Sequence, residues 1–504
     1  MTKYKIFAAV NIGSTAISMK IAEISGKKIS VIDSVKYDIS IGKETYNLGK
    51  ISYNAVDEIC SCLEKFVYIM ESYKTDDYVC YATTAVREAL NSEYIIEQIN
   101  IRTGLKVSII SNEEECFLHY KAFALNTDYF DNIIEEGAII TDVLSGSIQI
   151  SKYEKSELKY SQNLPMGSLR VTELLSGFKN NTSTFTDILE EYIKTEIENY
   201  KRSFFKNTNY KYFIAFGSQI NNLKKLIGAD DDKITKEQFD EIYKILSERS
   251  FDSISDEFNI TYNDVELMIS SVFIYRMFMK NDDFILAPNI SLEDGMCVEY
   301  IEKSKLAHTN HIFTNDTISS ASYYAGKYDV SIPHYEKLIE FLSVIFNSIS
   351  KKFGLSKRDF ILLKTAAIFS DTGLYININD YNRYSYDIVK ANSILGLSQK
   401  EHEIVSFVVL FQDGVFDFEE YNYLPKNRRL LISKLSAILS LAKSLDFEYN
   451  QKIDKIKSRL KDGELNITAY TDKDIVLIKR QFDISAKFFE EVFGIKTYLN
   501  KAVK

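Results

Sequence analysis

Residues 5–11 (KIFAAVN) are an apolar run rich in strand formers, and Gly13-Ser14-Thr15 then turns the chain into AISMKIAEI, where apolar and polar residues alternate. This pattern predicts a strand, a tight turn and a second strand. Alternation recurs over SVIDSVKY (30–37), helical spacing covers 55–72, and VCYAT (79–83) reads as another strand. TAVREALNSEYIIEQINIRTG (84–104) reads as one helix closed by Gly104. The first part of the chain is therefore expected to be an α/β domain of mixed sheet and packed helices.

The pattern then repeats. GAIITDV (137–143) is a strand, Ser145-Gly146-Ser147 a turn, and SIQISKYE an alternating strand, so two like strand-turn-strand units imply a duplicated architecture. A third cue is YFIAFGSQINNLKKLI (212–227), an apolar strand running through Gly217-Ser218 into a helix, a turn that aims backbone N–H groups at whatever lies above it. After about residue 305 helical spacing takes over, at 335–354, 358–373 and 401–412. From Gly463 the tail returns to strands (LNITAY, IVLIKRQF) and a helix (DISAKFFEEVFG). Asn315-Asp316 and Asp230-Asp231-Asp232 read as solvated connections. The expected domains are an α/β lobe over 1–125, a second over 126–305, a helical domain over 306–450 and a small α/β domain over 451–504.

Composition narrows the function classes. At roughly 150 residues per domain, 504 residues suggest about three domains, each able to bury a core. The net charge of -10 argues against a general nucleic-acid binder, because phosphate contacts need a basic surface, though it leaves room for a local anion site. The N-terminus enters a strand pattern with no signal-peptide core, and no apolar run approaches the ~18 residues of a membrane helix. A soluble, unexported protein off the membrane is expected. Five cysteines, an odd number without paired metal spacing, read as buried thiols in a reduced cytoplasm.

The chemistry concentrates in TTAVREALN (83–91) and IRTGLKVSIISNEEECFLHY (101–120). Arg87 offers a fork-shaped donor to phosphate, and Glu113, Glu114 and Glu115 open a helix just after a strand, where a carboxylate can orient water. Taken alone, the same residues also read as a surface arginine and three acids favouring the helix dipole. The basic segments KNRR (426–429) and KIDKIKSRLK (452–461) either line a path for a long polyanion or form a solvated helix face.

Taken in order, these blocks resemble the exopolyphosphatase and guanosine pentaphosphate phosphohydrolase (Ppx/GppA) family of the actin, sugar kinase and acetate kinase superfamily. Thr83, Thr84, Ala85, Arg87, Ala89 and Asn91 match its Thr-Ser-Ala-x-Arg-x-Ala-x-Asn pattern. Ser111 to Cys116 match its Gly-x-Glu-Glu-Ala segment, with Asn112 where Gly is usual, and LPMGSLRVTELL (164–175) matches Leu-Pro-x-Gly-x-x-Arg-x-Thr-Glu. The resemblance implies two actin-like lobes, a following HD-type helical domain and a homodimer. It also implies Glu115 as catalytic base, Arg87 as a polyphosphate contact, and Gly13, Ser14, Thr15, Ser145, Gly146, Ser147, Gly217 and Ser218 as the phosphate-binding turns. Its Mg²⁺ or Mn²⁺ would fall to Asp142, Gln149 and Asn11.

The departures are equally specific. Asn11 stands where the family has Asp, Gln149 where it has Glu, and Leu144 and Ser145 stand in place of glycines, which should crowd the phosphate or forbid positive φ. Ser218 and Gln219 replace Gly-Thr in the third turn. In the helical domain His334 matches the first metal ligand of an HD domain, but Ser370, Tyr381 and Tyr384 stand where further histidines belong, so no metal is expected there. Two functions follow from the resemblance. One is a hydrolase releasing terminal phosphate from polyphosphate or the 5′ γ-phosphate of guanosine pentaphosphate. The other is a pseudo-phosphatase that binds such polyanions as a regulator. Sugar or acetate kinase activity has no acceptor motif to support it.

Overall fold

The computed structural model describes residues 4–178, 185–204, 209–229, 231–279, 284–304 and 311–503. The first apolar run becomes β1 (Lys5–Ile12), and its residues divide by parity: Ala8, Val10 and Ile12 face one core, Phe7 and Ala9 another. Burial on both faces puts such a strand inside a sheet. With β2 (Ala16–Ser25), β3 (Lys28–Asp38), β4 (Tyr78–Ala82) and β5 (Val107–Ile109) it forms a sheet in the order β3-β2-β1-β4-β5. β1 is antiparallel to β2 and parallel to β4.

The second sheet repeats this plan. It contains β6 (Ala138–Val143), β7 (Ile148–Glu154), β8 (Glu157–Leu164), β9 (Tyr212–Gly217), β10 (Lys233–Ile234) and β11 (Ile285–Leu286). Their order is β10-β11-β9-β6-β7-β8, and β6 again lies between an antiparallel hairpin partner and a parallel strand. The two strand-turn-strand units of the sequence thus sit at equivalent places in two sheets.

One helix joins the first sheet from far along the chain. Leu292–Lys303, expected with the second lobe, packs Leu292, Met296, Cys297 and Ile301 against Phe7, Ala9 and Leu118. Gly295 permits the approach, since a Cβ there would lie 2.3 Å from the Leu118 carbonyl oxygen. Within the lobe, the single helix expected over 84–104 is two, Thr84–Glu88 and Ser92–Thr103. Asn91 breaks it by bonding both the N–H and the carbonyl of Ile51 through its side chain, at 3.2 and 2.8 Å.

Residues 1–313 and 314–504 are two compact units. The expected boundary at 305–306 lies outside the described residues, as do Asp230 and His308. In the second unit, helices Ile332–Phe353, Lys357–Phe369, Gln399–Leu410 and Lys426–Ser444 share one core with β12 (Lys455–Lys461), β13 (Glu464–Tyr470), β14 (Lys496–Ala502) and helix Val476–Phe493. The expected division at 450–451 therefore separates no two cores: Ile467 and Phe489 belong to the same cluster as Leu338 and Ile438.

Three local readings change. IVLIKRQF is the start of helix Val476–Phe493, because Ile478, Phe482, Ala486, Phe489 and Phe493 continue one helical stripe. KIKSRLK is strand β12, not a helix face, and Asp316 is buried within helix Phe313–Ala325 instead of lying in a solvated link. The five cysteines are free and buried.

Candidate active site

The predicted turns lie at the strand ends of both sheets. In the first, the Gly13 N–H donates to the Ala16 carbonyl at 2.9 Å, while the Ser14 and Thr15 carbonyls accept from Gly42 and Ile39. Ser14 Oγ is 3.1 Å from Tyr46 Oη. In the second, Leu144 N–H donates to the Ser147 carbonyl at 2.9 Å, and the Ser145 carbonyl accepts from Leu169 and Arg170 at the start of helix Ser168–Leu174. Arg170 Nε also donates to the Gly146 carbonyl at 2.7 Å. Neither Leu144 nor Ser145 has positive φ, so the loss of glycine there strains no backbone, contrary to that part of the expectation.

Two glycines keep the second turn close to its surroundings. A Cβ on Gly146 would lie 2.4 Å from Thr84 Cγ2 and 2.5 Å from Tyr46 Oη, so here the two lobes touch. A Cβ on Gly167 would lie 2.3 Å from the Ser147 nitrogen. In the third turn, Gly217 has φ +154° and room for no Cβ beside the Val143 carbonyl. Ser218 is exposed, and Gln219 donates to Asp264 at 3.0 Å.

Glu115 lies in the first turn of helix Asn112–Asn126, whose start is fixed by a reciprocal cap between Ser111 and Glu114. It is 7% exposed, and its Oε2 is buried without a hydrogen-bond partner. Burial pushes its carboxyl up to about 7; Arg87 and His119 oppose the rise, while Asp142 and Glu293 add to it. His119 follows one helical turn later, and its Nδ1 lies 2.6 Å from Asp142 Oδ2. Burial alone would lower the imidazole, yet the adjacent Asp142 carboxylate outweighs it and raises the ring to about 9. Glu293 reaches this region from helix Leu292–Lys303 and accepts from Asn11 and Ser18.

The reading of the sequence missed His119, Glu293 and Tyr46. A signal existed for His119, since positions i and i+4 of a helix share a face. Glu293 had none, being brought by a contact 282 positions from Asn11.

Arg87 is placed near Glu115, but much of its fork is engaged within the protein. It donates to the Ile110 carbonyl at 2.6 Å, to Thr84 Oγ1 at 2.9 Å and to Asn112 Oδ1. With five donors in the fork, Nε–H and one Nη1–H are left for a ligand.

Of the three expected metal positions, Gln149 is committed elsewhere, while Asp142 and Asn11 each keep one buried oxygen without a partner. Asp142 is paired with His119. Gln149 donates to Ser161 at 2.7 Å and accepts from Asn163 at 3.1 Å, which occupies both ends of its amide. Asn11 donates to Glu293 through Nδ2, which leaves its Oδ1 unengaged. Asp142 and Gln149 are 0% exposed. Among the described residues no group of three or more His, Cys, Asp or Glu side chains is placed to hold a metal ion.

In the second unit, His334 Nδ1 lies 2.7 Å from Asp446 and its Nε2 3.4 Å from Asp371. Lys443 donates to Asp371 at 2.8 Å and to Gln412 at 2.6 Å, and Tyr449 donates to Asp371 at 2.8 Å. Burial opposes it, but Lys443 and His334 hold the Asp371 carboxyl well below its usual range. Ser370 turns back onto the Ala367 carbonyl, and the Tyr381 ring lies beneath the Lys443 ammonium.

The Ppx/GppA phosphatase family matches residues 20–279, and its domain III matches residues 318–480. Exopolyphosphatase 1 of Mycobacterium tuberculosis is 25% identical over 165 residues, 32% of this chain and 46% of that protein. Guanosine-5'-triphosphate,3'-diphosphate pyrophosphatase of Pseudoalteromonas translucida is 20% identical over 93% of this chain and 92% of its own length. The crystal structure of the Aquifex aeolicus Ppx/GppA family member superposes with TM-score 0.50 at 20% identity, covering 60% of this chain and 99% of that one, a likeness of fold alone. The chain spans less than half the length of the first curated relatives it matches. With the family pattern running through more than half of the sequence and through both sheets, the chain belongs to the Ppx/GppA phosphatase family.

Proposed function

We propose that the chain is a phosphoanhydride hydrolase that removes the terminal phosphate of inorganic polyphosphate or the 5′ γ-phosphate of guanosine pentaphosphate. The observation that carries this reading is Glu115, whose buried Oε2 lacks a partner and whose carboxyl is raised to about 7. A base poised near neutrality can take a proton from water at its oxygen and return it to solvent. Asn11 Oδ1 and Asp142 Oδ1 are further buried acceptors without partners, and a water in the cleft would satisfy such atoms. The Arg87 N–H groups left unengaged would donate to a phosphoryl group, and His119 beside Asp142 would offset the repulsion of that carboxylate.

Domain III is read here as a degenerate HD-type domain in which the Lys443 ammonium, not a metal, offsets Asp371. A cytoplasmic setting accords with five free thiols, and a homodimer is part of the family-based reading, checked by light scattering.

Phosphate release from both substrates tests the function. Glu115→Gln should lower turnover by about 10² or more with binding retained. Wild-type protein that binds either polyanion and releases no phosphate would replace this reading with the regulator.

A further inference from the structure

We propose that the second unit binds a nucleoside diphosphate in a cavity of about 440 Å³ bordered by helices Tyr381–Ala391, Gln399–Leu410 and the start of Lys426–Ser444. That volume lies within the range of small-molecule sites, roughly 300–1,000 Å³. The proposal does not depend on the hydrolase reading, and every residue it uses belongs to the second unit.

Three observations carry it. The first is an aromatic wall held ready for a flat ring. Phe407 and Tyr386 are buried with ring centroids 5.4 Å apart, and Phe407 lies 6.5 Å from Tyr423, which is 68% exposed. An exposed side chain ordinarily changes rotamer freely in water. Here the Tyr423 hydroxyl donates to Glu403 Oε1 at 2.7 Å, while Arg428 donates to Oε2 of the same carboxylate at 2.6 Å. The ring is thereby fixed with apolar surface in water, a surface that a stacked base would cover.

The second is charge. In a chain of net charge -10, this cavity is lined by Lys390, Lys400 and Arg428 against the single carboxylate of Glu403. Arg428 matches Glu403, and among the described residues neither Lys390 nor Lys400 has an ion-pair partner. Two ammonium groups are thus left for an anion, equal in number to the phosphates of a diphosphate. Lys390 Nζ lies 5.2 Å from the centre of the Tyr386 ring, so cation and aromatic wall belong to one site.

The third is the polar lining. His402 Nε2 lies 2.9 Å from both the Val389 and the Asn392 carbonyl oxygens, so this nitrogen carries the proton and an uncharged ring has Nδ1 as an acceptor. Gln399 adds an amide with donor and acceptor ends. Groups of this kind suit the nitrogens and exocyclic atoms of a base. A bare polyphosphate would use neither them nor the aromatic wall, so Arg428 of the KNRR segment is better explained by a nucleotide than by a polyanion path.

The chain has no tryptophan, so Tyr423→Trp places a single indole fluorophore at the cavity. On the full chain, ADP should change its emission saturably, and adding Lys390→Ala with Lys400→Ala should weaken that binding by about tenfold or more. Adenosine and inorganic pyrophosphate should each bind at least about tenfold more weakly than ADP, because each lacks one half of the recognition. Equilibrium dialysis of labelled ADP, comparing the wild type with the double lysine variant, makes the same comparison without the tryptophan and decides the matter if Tyr423→Trp does not fold. No saturable ADP binding, or binding that the two lysine substitutions leave unchanged, would overturn the proposal. So would pyrophosphate or adenosine binding as tightly as ADP, since the site would then read only charge or only a ring. Phosphate release enters none of these readouts, so the hydrolase reading and this one fail separately.

Discussion

Glu115 and His119 stand four residues apart on one helix; burial opposes the charged form of both, while the nearby Asp142 raises both, which favours the neutral acid of Glu115 and the charged ring of His119. Since the base acts when deprotonated, phosphate release should rise with pH through about 7, measured as kcat against pH, and a flat profile across that range would remove Glu115 from the role. Stability follows from the same shifts. The Glu115 carboxyl titrates near 7 when folded against 4.5 in the reference, so its ionisation weighs against folding increasingly between these values, by roughly 1–3 kcal/mol above pH 7. Glu115→Gln should therefore unfold at higher urea than wild type at pH 8 and at the same urea at pH 4. The direction is the same for His119: its folded value of about 9 exceeds 6.5, so its contribution is complete below pH 6.5 and is lost as pH rises through 9. Arg87 and Glu115 were legible because their motif is local. The partner of Asp142 was not, because it is fixed by a helix and a strand meeting.

At the scale of elements, the second turn is held by close contacts that a side chain would break. In Gly167→Ala the new Cβ meets the Ser147 backbone nitrogen, which cannot move without shifting the turn, whereas in Gly146→Ala it meets the side chains of Thr84 and Tyr46, which can rotate. Gly167→Ala should cost about 1–3 kcal/mol and Gly146→Ala less, read from urea midpoints. Equal effects would mean that the turn itself yields. The same scale explains the misread helices. Propensity over 84–104 favours one helix, but the Asn91 side chain bonds Ile51 and stops it, a competition no window of sequence displays. Over 475–482 the run of apolar residues fits either period, and the partners Phe489 and Phe493 further along decide for helix.

At the scale of the molecule, two sheets of like order put the turn-bearing ends of β1 and β6 at the site, and the second unit holds its helices and three-stranded sheet on one core. Phe489, 0% exposed in that core, should link the two. Phe489→Ala is expected to cost about 3–5 kcal/mol and to raise amide exchange in helix Ile332–Phe353 as well as in β12–β14 of the full chain. Faster exchange confined to the sheet would show two cores after all.

Side-chain period, turn residues and helix-start chemistry are properties of neighbouring positions, and so the sequence by itself determined most strands and helices, the duplication of the strand-turn-strand unit and Glu115 at a helix start. The tertiary structure alone decided which groups face one another. Helix Leu292–Lys303 returns to the first sheet to bring Glu293 to Asn11, 282 positions away, and His119 meets Asp142 across 23. Chain connectivity does not set such distances; packing does, because the apolar faces that must leave water carry their polar neighbours with them. The charge of the site therefore depends on folding, while the residues that furnish it are written in the chain.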